Sequence, residues 1–299
     1  MTQCAGSVCG AGTRAASPKT ANRGSNGAVL APQQNHVPEG AAAGDFYDEV
    51  WGRYGHLDAA SPAAFHRRRL AVELCVRHAA HATRVLDAGC GRGELVRELR
   101  RAFPSARLAA SDVSLVSTRE TQRENPSLEV LQMDLSQPDF DTAYAAYLGQ
   151  FALITCCEVV EHIPDDRQAL RRLSRLLAPG GTLVLTVPGG KMSRFDQLIG
   201  HQRHYSSAAL LDLSLSAGLD PLEVLAWGFP FQNLYRAAVR VASRWSMPSA
   251  AAPERPGSGR NVSNLLGAAY ALFGRALKPL FYVNRNYWGE QMLLVARKR

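Results

Sequence analysis

The chain of 299 residues has a net charge of +8 and an apolar fraction of 46%, ordinary for a globular protein. No run of eighteen uncharged apolar residues occurs, which excludes a spanning helix. The charge is uneven: residues 228–299 hold eleven Lys/Arg against two Asp/Glu (+9), and residues 1–227 hold 23 against 24 (−1).

Residues 1–44 are rich in Ala, Gly, Ser, Asn and Gln, with no aromatic residue and no apolar core segment of a signal peptide. They cannot bury enough surface to offset ordering entropy, which predicts a disordered leader. The remaining 45–299 form one domain. "FYDEVWGRYGHLDAASPAAFHRRRLAVELCVRHAA" predicts helix, loop, helix, with Asp45 capping the first and Ser61-Pro62 opening the second. Tyr47, Trp51 and Tyr54 make an aromatic stripe on the first helix, read as core or as a substrate lid. An alternation of short apolar runs and helical periods follows. Strands are expected at 84–89, 107–112, 128–134, 151–159, 182–188, 221–228 and 290–298, with helices at 93–103, 114–125, 167–181 and 206–219. Strands spaced by such helices predict an α/β, doubly wound, Rossmann-like and mainly parallel seven-stranded sheet with N-terminal helices. Residues 229–289 break the rhythm and read as a helical insertion or lid.

In "VLDAGCGRGEL" (85–95), Gly89, Gly91 and Gly93 sit at alternate positions between a strand and a helix. Such a turn lets backbone approach a ligand at the carboxyl edge of a parallel sheet. The spacing departs from G-x-G-x-x-G, and Asp87 stands two residues before the first glycine. A pyrophosphate is repelled by that acid; a ligand carrying an ammonium and a sulfonium is attracted. Acids recur at the ends of the next two strands, Asp112 and Asp134, suited to accepting from hydroxyls and exocyclic amines.

With those residues in place, the chain resembles the class I S-adenosylmethionine-dependent methyltransferases over roughly 46–227 and the last strand, nearest the small-molecule and quinone-biosynthesis type. "VLDAGCGRG" resembles the first family motif, "LAASDVS" the second, "LQMDL" the third and "ITCCEVVEHI" the fourth. The resemblance implies S-adenosyl-L-methionine as cofactor, held by Asp87, Gly89, Cys90, Gly91, Gly93, Asp112, Val113, Met133, Asp134, Leu135, Cys157 and Glu158. Of these, Asp112 is implied for the ribose diol and Asp134 for the adenine amino group.

His162, just after the fourth strand, is a candidate general base, since histidine titrates near neutral pH. "GHQRHYS" (200–206) lies beside the same crevice and offers His201, Arg203, His204 and Tyr205; His204 is the second catalytic candidate. Glu158, Glu161 and His162 have i, i+3, i+4 spacing and would share a face of one helical turn. The segment "EVVEH" resembles the metal-ligand stretch of quinone-biosynthesis O-methyltransferases and of small-RNA 3′-terminal 2′-O-methyltransferases, where the resemblance implies a further downstream histidine, here His201 or His204; similar letters occur in metal-free relatives. A divalent metal is therefore not favoured and no metal ligand is assigned. Six cysteines without a CxxC pair point to reduced thiols, not zinc.

In "LYRAAVRVASRW", Arg236, Arg240 and Arg244 form a basic ridge opposite an apolar stripe of Leu234, Ala238, Val241 and Trp245. Arginines in solvent on a packed lid, or peripheral membrane contact through 231–283, both fit. Nucleic acid is not favoured, for want of aromatic-basic interleaving. The expected protein is a cytoplasmic enzyme, with an inner-membrane-peripheral location as the alternative, that methylates an oxygen or nitrogen of a small molecule. Two alternatives stand: a metal-assisted O-methyltransferase on a prenylated aromatic or lipid-like acceptor, and a non-methylating cofactor-binding protein. The acceptor and the oligomeric state are not legible.

Overall fold

The computed structural model describes residues 41–246 and 288–299. Two helices lead, α1 (Ala41–Ala60) and α2 (Pro62–Ala79). Seven strands follow: β1 (Arg84–Ala88), β2 (Arg107–Asp112), β3 (Glu129–Gln132), β4 (Phe151–Cys157), β5 (Leu177–Pro188), β6 (Leu219–Trp227) and β7 (Gln291–Lys298). Between them lie α3 (Glu94–Ala102), α4 (Leu115–Glu124), α5 (Phe140–Ala143), α6 (Asp166–Leu176), α7 (Arg194–Leu198), α8 (Ser207–Ser216) and α9 (Phe231–Ser246). The sheet order is β3-β2-β1-β4-β5-β7-β6, parallel except for β7. Among the described residues no helix is long and apolar enough to cross a membrane.

The central strands are apolar on both faces because helices cover both. Alternation splits their side chains: Leu86, Ile154, Leu183 and Leu185 join one core, Val85, Leu153 and Val184 the other. The chain winds outward from β1 in one direction through β2 and β3, and in the other from β4. The β1/β4 boundary is thus the point where strand order reverses, and the crevice opens above it.

Several boundaries differ from the sequence expectation. The helix before β5 ends at Leu176, not at 181. Pro179 disfavours helical backbone at Ala178, so Ala178-Pro179-Gly180-Gly181 is drawn into the long β5. Asp45 does not cap α1, which begins at Ala41 because the alanines ahead of it favour helix. Ser61 alone separates α1 from α2 and caps the latter, its side chain accepting from Ala64 N. Most of the expected leader (1–40), and 247–287 of the expected insertion, lie outside the described residues.

Gly89 shows why the turn is glycine. Its φ is +78°, and a Cβ there would stand 2.1 Å from Val159 Cγ2. Gly89→Ala should lower stability by about 2 kcal/mol or more, combining left-handed strain with the clash. Urea unfolding checks this. Adding Val159→Ala should return the clash component but not the backbone component.

Candidate active site

The glycine turn is held by backbone first. Gly89 N and Cys90 N both donate to Ser111 O, at 2.7 and 2.9 Å, and Gly93 N donates to Cys90 O at 2.9 Å. Gly93, in left-handed conformation, precedes α3. The Asp112 carboxylate then ties two loops together: Oδ2 accepts from Gly91 N at 2.8 Å and Oδ1 from Ser114 N at 2.9 Å. Burial raises its pKa to about 6 in spite of these bonds. Asp87 is deeper. Thr155 Oγ1 donates to its Oδ1 at 2.8 Å, Oδ2 has no partner among the described residues, and burial raises its pKa to about 7. Asp134 Oδ1 accepts from Ser136 N and Oγ, with Met133 and Leu135 buried beside it.

These groups line one cavity of about 530 Å³, within the span of small-molecule sites. Asp87, Gly89, Cys90, Gly91, Asp112, Val113, Met133, Asp134, Leu135, Cys157 and Glu158 all line it; Gly93 does not. Helix α1 closes one side. Asp48 accepts from Ser114 Oγ and Val116 N, and Trp51 leaves no room for a side chain on Gly91. Cys90 and Cys157 thiols are pushed up by burial, the latter to about 12, so neither is a thiolate nucleophile.

The other half of the cavity is walled by Tyr47, Arg67, His162, Asp196, His201, Gln232, Arg236 and Gln291, among others. His162 Nδ1 is buried and has no hydrogen-bond partner among the described residues. Its Nε2 lies 3.9 Å from Glu161 Oε1, the Tyr47 ring stands edge-on at 5.4 Å, and the His201 ring at 4.6 Å. Burial lowers the His162 pKa to about 4, so the ring is neutral at physiological pH. Glu161 is fully buried, neither carboxylate oxygen has a hydrogen-bond partner among the described residues, and burial raises its pKa.

The expected helical face of Glu158, Glu161 and His162 does not form. Val160–His162 is a short 3-10 turn, and Glu158 has a φ of +56°. That conformation sends the Glu158 carboxylate to Thr186 Oγ1, 3.1 Å, and Arg67, 3.6 Å. Glu161 and His162 instead approach His201. His204 does not line the cavity; it lies behind His201, Nε2 3.2 Å from His201 Nδ1. Arg203 donates to Ile163 O and Pro164 O, and Tyr205 OH to Asp166, so these two fasten the loop.

Helix α9 reverses its expected orientation. Arg236 points inward to Asp196 (3.4 Å) and Glu290 (3.5 Å), and Arg240 also pairs with Glu290. Leu234 (63%) and Val241 (54%) face outward. The side chains of Tyr54 and Arg244 lie outside the described residues. Arg67, Asp196, Gln232 and Gln291 were not singled out in the sequence. Ser193-x-x-Asp196 is legible as a capping box, which the structure forms, but that signal marks a helix start and not a cavity wall.

A doubly wound sheet with a glycine turn and three strand-end acids around one crevice defines a nucleoside-cofactor-binding fold. A methyltransferase-domain family matches residues 54–224, more than half of the chain. The chain belongs to this family, among the class I S-adenosylmethionine-dependent methyltransferases. A ubiquinone biosynthesis O-methyltransferase of Xanthomonas oryzae pv. oryzae (strain PXO99A) is 34% identical over 103 residues, covering 34% of this chain and 42% of the relative. That of Escherichia coli O127:H6 is 32% identical over 104 residues, with the same coverages. The chain therefore spans less than half the length of these curated relatives. Among solved structures, the [4+2]-cyclase SpnF aligns with a TM-score of 0.56 at 19% identity, covering 88% of this chain and 97% of that one. A 1,6-didemethyltoxoflavin N1-methyltransferase of Burkholderia thailandensis aligns at 0.50 and 16%, covering 88% and 92%. At these identities the likeness is one of fold.

The crevice fits the family's cofactor. The unpartnered Asp87 Oδ2 suits its ammonium, the positive-φ turn admits its backbone-side approach, and Asp112 and Asp134 carry acceptor oxygens. Asp87 must be ionised to pair with a cation, and its raised pKa puts that ionisation near pH 7. Cofactor affinity should therefore be flat above about pH 8 and fall on acidification. The slope should approach about tenfold per pH unit below 7, steepening as Asp112 protonates. Calorimetric titration from pH 8 to 5.5 checks this, and Asp87→Asn should bind weakly with the upper part of the dependence gone.

Proposed function

We propose that the protein transfers a methyl group from S-adenosyl-L-methionine to an oxygen of a small-molecule acceptor seated against His162. The observation that carries this reading is a neutral imidazole on the cavity wall whose buried Nδ1 has no hydrogen-bond partner among the described residues. The similarity to O-methyltransferases of ubiquinone biosynthesis supports oxygen as the accepting atom.

The cofactor supplies a methyl group already activated by its sulfonium. Asp87, Asp112 and Asp134 would hold it at the strand ends. His162 Nδ1 takes the proton of the acceptor hydroxyl, and Glu161, 3.9 Å from Nε2, stabilises the imidazolium that results. Tyr47 and Trp51 from α1 exclude water and fix the approach, which aligns acceptor and donor for in-line displacement. His162→Ala should lower kcat by about 10²–10⁴-fold, the usual reach of general-base catalysis, with cofactor affinity unchanged. Conversion of cofactor to demethylated product, measured across a panel of phenolic and catecholic acceptors, tests the reading. No turnover with any hydroxyl acceptor, or an unchanged kcat in the variant, overturns it.

A second reading concerns where the enzyme works. The outward apolar face of α9 (Leu234, Ala238 and Val241), with exposed Phe229 and Trp288, lies in the quarter of the chain that carries +9. Exposed apolar groups within a cation-rich segment of sequence suit an anionic membrane surface. The full chain should sediment with phosphatidylglycerol vesicles, and Leu234→Glu/Val241→Glu should abolish this. Equal sedimentation of both proteins, or none of either, counts against it.

A further inference from the structure

We propose that Asp196, His201 and His204 form the seat of one divalent transition-metal ion. Asp196 closes the capping box of α7, and the two histidines stand three residues apart in the loop between α7 and α8. A ligand atom from each lies within 4.8 Å of the others. His201 Nδ1 is 3.2 Å from His204 Nε2, which is 3.7 Å from Asp196 Oδ2. An ion about 2.1 Å from each of these atoms would subtend about 100° between the two nitrogens and about 125° between nitrogen and oxygen. Both angles are ordinary for a four- or five-coordinate ion.

The ligands are also held from behind. His204 Nδ1 lies 3.2 Å from Gly190 O. A carbonyl only accepts, so the ring proton sits on Nδ1 and the Nε2 lone pair points into the cluster. Asp196 Oδ2 accepts from Ser193 N at 2.6 Å. Arg236 lies 3.4 Å from that same oxygen and 3.5 Å from Glu290, which also pairs with Arg240. The His204 and Asp196 side chains are only 5% and 10% exposed, so the seat is not a chance grouping of surface histidines.

The donor set is two imidazoles and one carboxylate, the set preferred by zinc, iron(II) and cobalt(II). Asp196 and His201 line the cavity, so the remaining positions of the ion open towards the acceptor half. An oxygen donor on the acceptor is the matching ligand. The seat is defined by the chain's own side chains and holds whether or not His162 acts as a base.

The test uses the full chain, stripped with chelator and titrated with cobalt(II), followed by visible absorption and by metal content after gel filtration. One equivalent should bind saturably at micromolar concentration. His204→Ala and Asp196→Asn should each weaken binding at least tenfold, while Glu161→Gln and His162→Gln change it less than threefold. Unaltered S-adenosylmethionine affinity certifies that each variant is folded. His204→Asn replaces His204→Ala if the latter fails, because its amide nitrogen stands where Nδ1 does and keeps the bond to Gly190. No saturable cobalt band in the wild type overturns the proposal. So does loss of binding in Glu161→Gln with His204→Ala unaffected, which moves the ion to the overlapping Glu161–His162–His201 cluster.

Discussion

The carboxylate of Asp112 is the constraint on which the rest of the crevice depends. It ends β2, is almost wholly buried, and accepts one hydrogen bond from the glycine turn after β1 and one from the start of α4. Burying a carboxylate is costly unless it is hydrogen-bonded, so these amides are obligatory partners. Their positions then follow. Gly91 must present its N–H to Asp112, which requires the left-handed turn. Ser114 is fixed both by Asp112 and by Asp48 of α1. One charged group thus couples two strand ends to the helix that closes the cavity.

The two halves of that cavity are built on opposite electrostatic principles. In the cofactor half, Asp87 and Asp112 are carboxylates whose ionisation burial makes costly, which would suit a cationic ligand that repays the cost on arrival. The acceptor half holds two imidazoles, His162 and His201, that burial keeps neutral, with His204 behind them and Glu161 beside them, whose carboxylate oxygens have no hydrogen-bond partner among the described residues. Neutral imidazoles are both proton acceptors and metal ligands. The same burial that weakens them as free bases keeps their lone pairs available across the physiological range.

Much of the fold was legible because its signals are local. Apolar runs such as "FALITCCEV" and "TLVLTVP" mark strands buried on both faces, and the acids Asp87, Asp112 and Asp134 stand at strand ends whatever the packing. The glycine turn could be read from spacing alone, since left-handed backbone favours glycine. The failures share a cause. Glu158, Glu161 and His162 have helical spacing, but one residue in left-handed backbone breaks the register, and no periodicity argument detects that. Asp196 was hidden because a capping box explains it without reference to any site. His204 was legible as a residue near the crevice but not as one standing behind His201, since that depends on how the loop folds back.

Helix α9 is the most instructive reversal. Its sequence is amphipathic in the ordinary sense, and the ordinary reading buries the apolar stripe. Arginine changes the accounting here, because Glu290, at the start of β7, and Asp196, on α7, offer carboxylates on the protein side. Two guanidinium groups in part-buried pairs, packing their aliphatic stems over the cavity, outweigh the gain from burying Leu234 and Val241 against the same surface. The face that α9 turns to the cavity is consequently polar and its outer face apolar. A helix set this way can take part in both acceptor binding and surface attachment: Gln232, Tyr235 and Arg236 face the cavity while, on the opposite side of the same turns, Leu234 and Val241 face outward. The inner face of α9 is thus fixed by its ion pairs to Asp196 and Glu290, and the outer face is left apolar as a consequence of that choice.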